Sequence, residues 1–103
     1  MKLNLFLFCV IVLIGSVAYV GANDDIGQSI YTKNCVSCHA SGVMGAPKVG
    51  DKDAWSVLIA EGLDKLTYNS INGKGKMPAK GGNMKLTDEE VRAAVAYMME
   101  ASK

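Results

Sequence analysis

Cys35-Val36-Ser37-Cys38-His39 is the stretch on which the reading of this 103-residue chain turns. Two thiols three positions apart fall one helical turn from each other, and an imidazole follows the second directly. C-x-x-C-H is the attachment sequence of c-type haem. The reason is geometric. Both thiols can add to the two vinyl groups of one porphyrin, and the adjacent imidazole then falls beneath the iron as an axial ligand. Three other readings are weaker. A Cys35–Cys38 disulfide would close a tiny, strained loop with little entropic gain. A thioredoxin-like pair needs a βαβ setting, and no strand pattern precedes Cys35. A zinc site needs four ligands, and these three are the only strong donors beyond the N-terminal segment.

That segment, residues 1–22, reads as a secretory signal. Lys2 supplies the positive start, residues 5–14 are uninterruptedly apolar, and Val20-Gly21-Ala22 offers small side chains for cleavage before Asn23. Ser16-Val17-Ala18 is a second cleavage point. Residues 3–22 are nearly long enough to span a bilayer, so an uncut membrane anchor is the alternative. Gly15, Ser16 and Gly21 dilute its far end and favour cleavage. Cys9, inside the apolar run, reads as a hydrophobic filler that leaves with the signal. The expected organisation is therefore 1–22 signal and 23–103 one monohaem domain.

Cleavage leaves 81 residues, whose core supplies only roughly 3–5 kcal/mol. A disulfide, a metal or a buried cofactor should help to hold so small a domain together. Its single histidine stands where the haem motif requires one. Hydrophobic residues at 50% and charged residues at 20% argue for a folded chain. Eleven Lys and Arg nearly balance ten Asp and Glu, which argues against nucleic acid as a partner. The length excludes a nucleotide-binding α/β enzyme.

Outward from the motif the chain reads as short helices joined by Gly-rich loops, with hardly any period-2 alternation. The first helix is expected to start at Asp24 or Asp25 and run into Cys35, with Ile26 and Ile30 on one face and Gly27 and Tyr31 on a neighbouring one. Residues 40–52 read as a loop. Asp53 is expected to cap a helix over 54–61, with Trp55, Leu58 and Ile59 inward and Gly62 as its stop. Residues 63–71 predict a third helix and 72–85 a second long loop. Thr87 and Glu90 form a capping box for the last helix, whose Val91, Ala94, Val95 and Met98 make one apolar stripe bordered by Tyr97.

With no second histidine, methionine is the natural soft donor for the other side of an iron. Met77 fits best: it lies in a Gly-rich loop 38 positions after His39, and Pro78 fixes the backbone behind it. Met84 shares that loop. Met44 follows His39 too closely to reach the opposite face without wrapping the porphyrin edge. Met98 fits the core stripe and Met99 neighbours it; gap-filling is the ordinary use of any methionine.

Four stretches together resemble the class I c-type cytochromes, and within them the short bacterial cytochrome c5 type. These are CVSCH, GAPKVGD (45–51), GKGKMPAKGG (73–82) and LTDEEVRAAVAYM (86–98). The likeness covers essentially all of 23–103. It implies an all-α fold of about four short helices wrapped around one covalently bound haem, with the first and last helices crossing near Gly27, Tyr31 and Tyr97. It implies Cys35 and Cys38 as thioether attachments, His39 and Met77 as axial ligands, and Pro47 as the carbonyl that accepts the imidazole N–H. Many such cytochromes carry two further cysteines after the methionine loop. Here Asn83 and Leu86 stand in that neighbourhood, so the loop is expected to be more mobile and its ligand more easily displaced.

The function implied is a periplasmic one-electron carrier between larger redox complexes, not an enzyme, with no small-molecule substrate. Two alternatives accompany it: a haem-based ligand sensor or peroxidase-like protein with a displaceable Met77, and a membrane-anchored subunit of a respiratory complex. Leu58, Ile59, Leu66, Ile71 and Val95 are expected around the haem, and Trp55 could donate its indole N–H to a propionate. Lys74, Lys76, Lys80 and Lys85 surround the Met77 loop with no acid among them, a rim that would steer an acidic redox partner.

Overall fold

A computed structural model describes residues 21–103 of the chain, with side chains from Asp25 onward. The expected signal, and Cys9 within it, lie outside the described residues apart from Gly21 and Ala22. Five helices follow in order: α1 (Gly21–Asn34), α2 (Val36–His39), α3 (Lys52–Glu61), α4 (Leu63–Asn72) and α5 (Asp88–Ala101). Single 3-10 turns at Val43–Gly45 and Ala79–Gly82 punctuate the two long loops. Among the described residues there is no strand, only an isolated bridge between Lys74 and Met77. The expected all-α class holds. No helix among these residues is long and apolar enough to cross a membrane.

The frame is the crossing of α1 over α5. A Cβ at Gly27 would lie 2.3 Å from the Ala93 carbonyl oxygen and 3.0 Å from the Tyr97 Cβ. Only the bare backbone of glycine fits there, and its absent side chain lets the helices close up. One turn later the Tyr31 and Tyr97 rings meet with centroids 5.3 Å apart and planes tilted by 43°, a favourable aromatic arrangement. This face of α1 is Gly27, Ile30 and Tyr31. Ile26, expected to share a face with Ile30, is exposed instead; it lies a position off the stripe that the crossing buries.

α5 follows its sequence signals closely. Thr87 Oγ1 accepts from the Glu90 N–H at 3.1 Å, and the Glu90 carboxylate accepts from the Thr87 N–H at 2.9 Å. Asp88, Glu89 and Glu90 fill the first turn, where negative charge suits the helix dipole. Val91, Val95 and Met98 are buried in one core with Tyr31, Trp55, Leu66 and Leu86, and Ala94 is buried as well.

Two helix starts differ from expectation. Asp51, not Asp53, caps α3: its carboxylate accepts from the Ala54 N–H, and the helix begins at Lys52. Asp51 has the extended backbone that a cap requires, while Asp53 falls inside the first turn. α1 already includes Asp24 and Asp25, so neither caps it in the uncut chain. Cleavage after Ala22 would leave both acids in its first turn, a position that favours them.

Candidate functional site

The motif is positioned by continuing α1 past its end. Cys35 N–H donates to the Tyr31 carbonyl, and the Cys38 and His39 N–H groups both donate to the Cys35 carbonyl. The two thiols stay unjoined, and with His39 they form no cluster that could hold a metal ion unaided. Burial pushes the Cys35 thiol up, and the neighbouring Cys38 adds to the shift. His39 is buried, 9% exposed. Its Nδ1 lies 2.9 Å from the Pro47 carbonyl oxygen. A carbonyl can only accept, so Nδ1 carries a proton, and in the neutral ring the lone pair for a ligand is on Nε2.

The segment that supplies this carbonyl is itself held at three points. Val49 N–H donates to the His39 carbonyl at 2.8 Å. Trp55 Nε1 donates to the Lys48 carbonyl at 2.8 Å. Gly50 N–H donates to Ser102 Oγ at 3.0 Å, and Ser102 is 1% exposed. Ser102 carries no sequence signal; only the fold brings the end of α5 to this loop.

Beside the motif lies a cavity of about 430 Å3, within the size range of small-molecule and cofactor sites. Cys35, Cys38, His39 and Pro47 line this cavity, and so do Met77 and Pro78. Trp55, Leu58, Leu66, Val95 and Met98 supply apolar wall. Ile59 and Ile71, expected here, pack into the adjoining core instead. Met98 is both stripe and wall, because α5 turns one face to core and cavity together. Trp55 lines the cavity, but its single N–H donates to the Lys48 carbonyl rather than standing free for a propionate.

The fold separates the methionines. Met77 reaches the cavity from a tight loop in which its N–H and carbonyl pair with Lys74 at 2.9 and 3.1 Å. Gly73 makes that loop: its φ is 86°, and a Cβ would sit 3.0 Å from both the Met77 carbonyl oxygen and the Ala79 nitrogen. Met84 is 67% exposed and not on the cavity; Met99 packs against the core. Met44 stands at the cavity beside Val43, largely exposed.

The loop after Met77 is tied down without a disulfide. Asn83 Nδ2 donates to Asn34 Oδ1 at 2.8 Å, and Leu86 is buried. Lys80 Nζ donates to the Leu86 carbonyl at 2.6 Å and pairs with Asp88 at 3.2 Å. Lys80 therefore leaves the expected rim, turned inward onto an acid just beyond the loop. Lys74, Lys76 and Lys85 remain exposed. The donor set fits a covalently held haem: two adjacent thiols, an imidazole of fixed tautomer and a thioether face one largely apolar cavity.

The family model described as cytochrome C oxidase, cbb3-type, subunit III matches residues 22–98. The chain is 56% identical over 81 residues to cytochrome c-555 of Chlorobaculum tepidum, covering 75% of each chain. It is 39% identical over 80 residues to cytochrome c5 of Azotobacter vinelandii, covering 76% of this chain and 96% of that one. Its fold is similar to the cytochrome c in a crystal structure of an electron transfer complex with nitrite reductase. That likeness has a TM-score of 0.73 and 49% identity, over 76% of this chain and 95% of that one. Cytochrome c551 of Ectothiorhodospira halophila is similar with a TM-score of 0.61 and 34% identity, over 73% and 97% of the chains. Motif, cavity and likeness agree: the chain belongs to the small class I c-type cytochromes, electron-transfer proteins that carry covalently bound haem c and are not enzymes.

Proposed function

We propose that this cytochrome is an exported, periplasmic carrier of single electrons between larger redox proteins, with Cys35 and Cys38 as thioether anchors and His39 and Met77 as axial ligands. The observation that carries the ligand reading is His39 Nδ1 on the Pro47 carbonyl, with Met77 lining the same cavity. The bound haem supplies a one-electron iron couple. His39, oriented by Pro47, offers Nε2 as the stronger donor. Met77 offers a thioether, a poor donor to the oxidised ion, which raises the potential. The apolar walls from Leu58, Leu66, Val95 and Met98 raise it further by disfavouring the extra positive charge.

The visible spectrum of the purified protein tests this reading. The oxidised form should show the weak sulfur-to-iron band at the red end, and Met77→Ala should abolish it while haem stays attached. A band that survives Met77→Ala overturns the ligand assignment. A tight Met77 should also keep carbon monoxide off the reduced protein; rapid binding would favour the sensor or peroxidase-like reading.

Lys74, Lys76 and Lys85 form the rim that would steer an acidic redox partner. Transfer rates should then fall as ionic strength rises. The match to an oxidase subunit model favours a second reading, in which residues 3–22 stay as an anchor and tether the domain to a respiratory complex. The mass of the exported protein decides, since cleavage after Ala22 removes 22 residues.

A further inference from the structure

We propose that Asn34 and Asn83 form an amide clasp that holds the Met77 loop shut and so sets how readily Met77 leaves the iron. The proposal rests on the reading of Met77 as a ligand. Asn34 directly precedes the attachment motif, lines the cavity and is half-buried. Its amide is fixed from behind, because Nδ2 donates to the Ile30 carbonyl at 2.9 Å and so turns Oδ1 away from α1. Asn83 Nδ2 donates to that oxygen at 2.8 Å. Asn83 is fixed in turn, its Oδ1 accepting from the Lys85 N–H at 3.1 Å.

Among the described residues this is the one hydrogen bond that joins the cysteine side of the cavity to the loop over 77–86. The backbones close up at the same place. Gly81 has φ 62°, and a Cβ there would come within 3.3 Å of the Asn34 carbonyl oxygen. The Lys80 contacts with Leu86 and Asp88 stay within the loop and the start of α5, and do not cross the cavity. Swinging Met77 out requires the loop to lift from Asn34, which breaks the clasp. Both asparagines are positioning residues: neither is placed to touch the iron.

Two isosteric variants isolate the bond. Asn83→Asp keeps the shape and the acceptor for Lys85, but loses the donor that faces Asn34. Turning the Asn34 amide over would regain a bond only by giving up Ile30. Asn34→Asp keeps an acceptor for Asn83 Nδ2 and gives up only the backing bond to Ile30. Each variant adds one negative charge at nearly the same place, so charge effects on the haem are matched. The measurement is the rate of cyanide binding to the oxidised holoprotein at saturating cyanide, where departure of the protein's own ligand limits the rate.

Asn83→Asp, which loses the clasp bond, should accelerate binding about tenfold, and Asn34→Asp, which loses only the backing bond to Ile30, by no more than about threefold. Equal acceleration by both variants, or by neither, overturns the clasp. Met77→Ala is measured alongside. If it loses the sulfur-to-iron band, the ligand reading stands and the cyanide rates decide the clasp alone. If the band persists, both proposals fall.

Discussion

The two sides of the cavity are held by different kinds of contact. On the His39 side the hydrogen bonds join near neighbours: His39 to Pro47, Val49 to His39, and Trp55 to Lys48. Only Ser102, on the Gly50 N–H, comes from far along the chain. On the Met77 side the loop is closed locally by its bridge with Lys74, yet it is attached to the cysteine side through Asn34, 49 positions from Asn83. Local bonds form wherever the short segment folds. Among the described residues the His39 side has these four bonds, whereas the Met77 loop has one to the cysteine side, and a segment with fewer ties opens at a lower free energy. The Met77 side should therefore yield first.

Trp55→Ala is the severest test of the His39 side. Trp55 is 3% exposed, lines the cavity and holds Lys48. Its loss should cost about 3–5 kcal/mol in denaturant unfolding of the holoprotein. A shift below about 1 kcal/mol would mean that this wall is not packed as described.

Gly27→Ala strikes the crossing on which both sides depend. The added methyl cannot coexist with the Ala93 carbonyl at 2.3 Å, so the helices must separate. A loss of about 1–3 kcal/mol is expected, read as a lower thermal midpoint, and His39 and Met77, the proposed ligands, should loosen together.

Ser102→Ala and Thr87→Ala sharpen the contrast, since each removes one hydrogen-bonding hydroxyl at a cost of about 1 kcal/mol. Ser102 supports the His39 side, whereas Thr87 starts α5 directly after the Met77 loop. Thr87→Ala should speed cyanide binding to the oxidised protein, and Ser102→Ala should leave that rate unchanged. Matching rates would erase the distinction between the sides. The smallest effect is expected from Asp88→Asn. Its partner Lys80 is largely covered but Asp88 is open to solvent, so about 0.2–1 kcal/mol should be lost, and less at high salt.

What the sequence disclosed follows the same division. The capping box of Thr87 and Glu90, the α5 stripe and the Gly62 stop depend on residues within a turn or two, and each stands where its pattern puts it. The motif and the Met77 loop lie on one cavity because each carries its geometry in a few adjacent residues. Asp51 and Asp53 differ only in backbone conformation, which no pattern of residue types displays. Ile26 and Ile30 share helical spacing, and only the α5 crossing decides which one is buried. Asn34 with Asn83, and Gly50 with Ser102, have no pattern in one dimension, since nothing marks an amide or a hydroxyl as reaching across half the chain. Lys80 misleads for the same reason: charge counted along the loop cannot show that its ammonium folds back onto Asp88.

Lys80 also carries a conflict between its two ends. Its backbone has φ 54°, a left-handed conformation in which glycine is at ease and a lysine is strained by about 1–2 kcal/mol. Its ammonium spans the turn to Leu86 and Asp88, where glycine would leave nothing. A substitution chosen for backbone comfort alone would relax the turn and cut its guy-rope. The preferred residue at position 80 is thus decided by reach rather than by torsion, and thermostability engineering that fills left-handed positions with glycine should pass this one by.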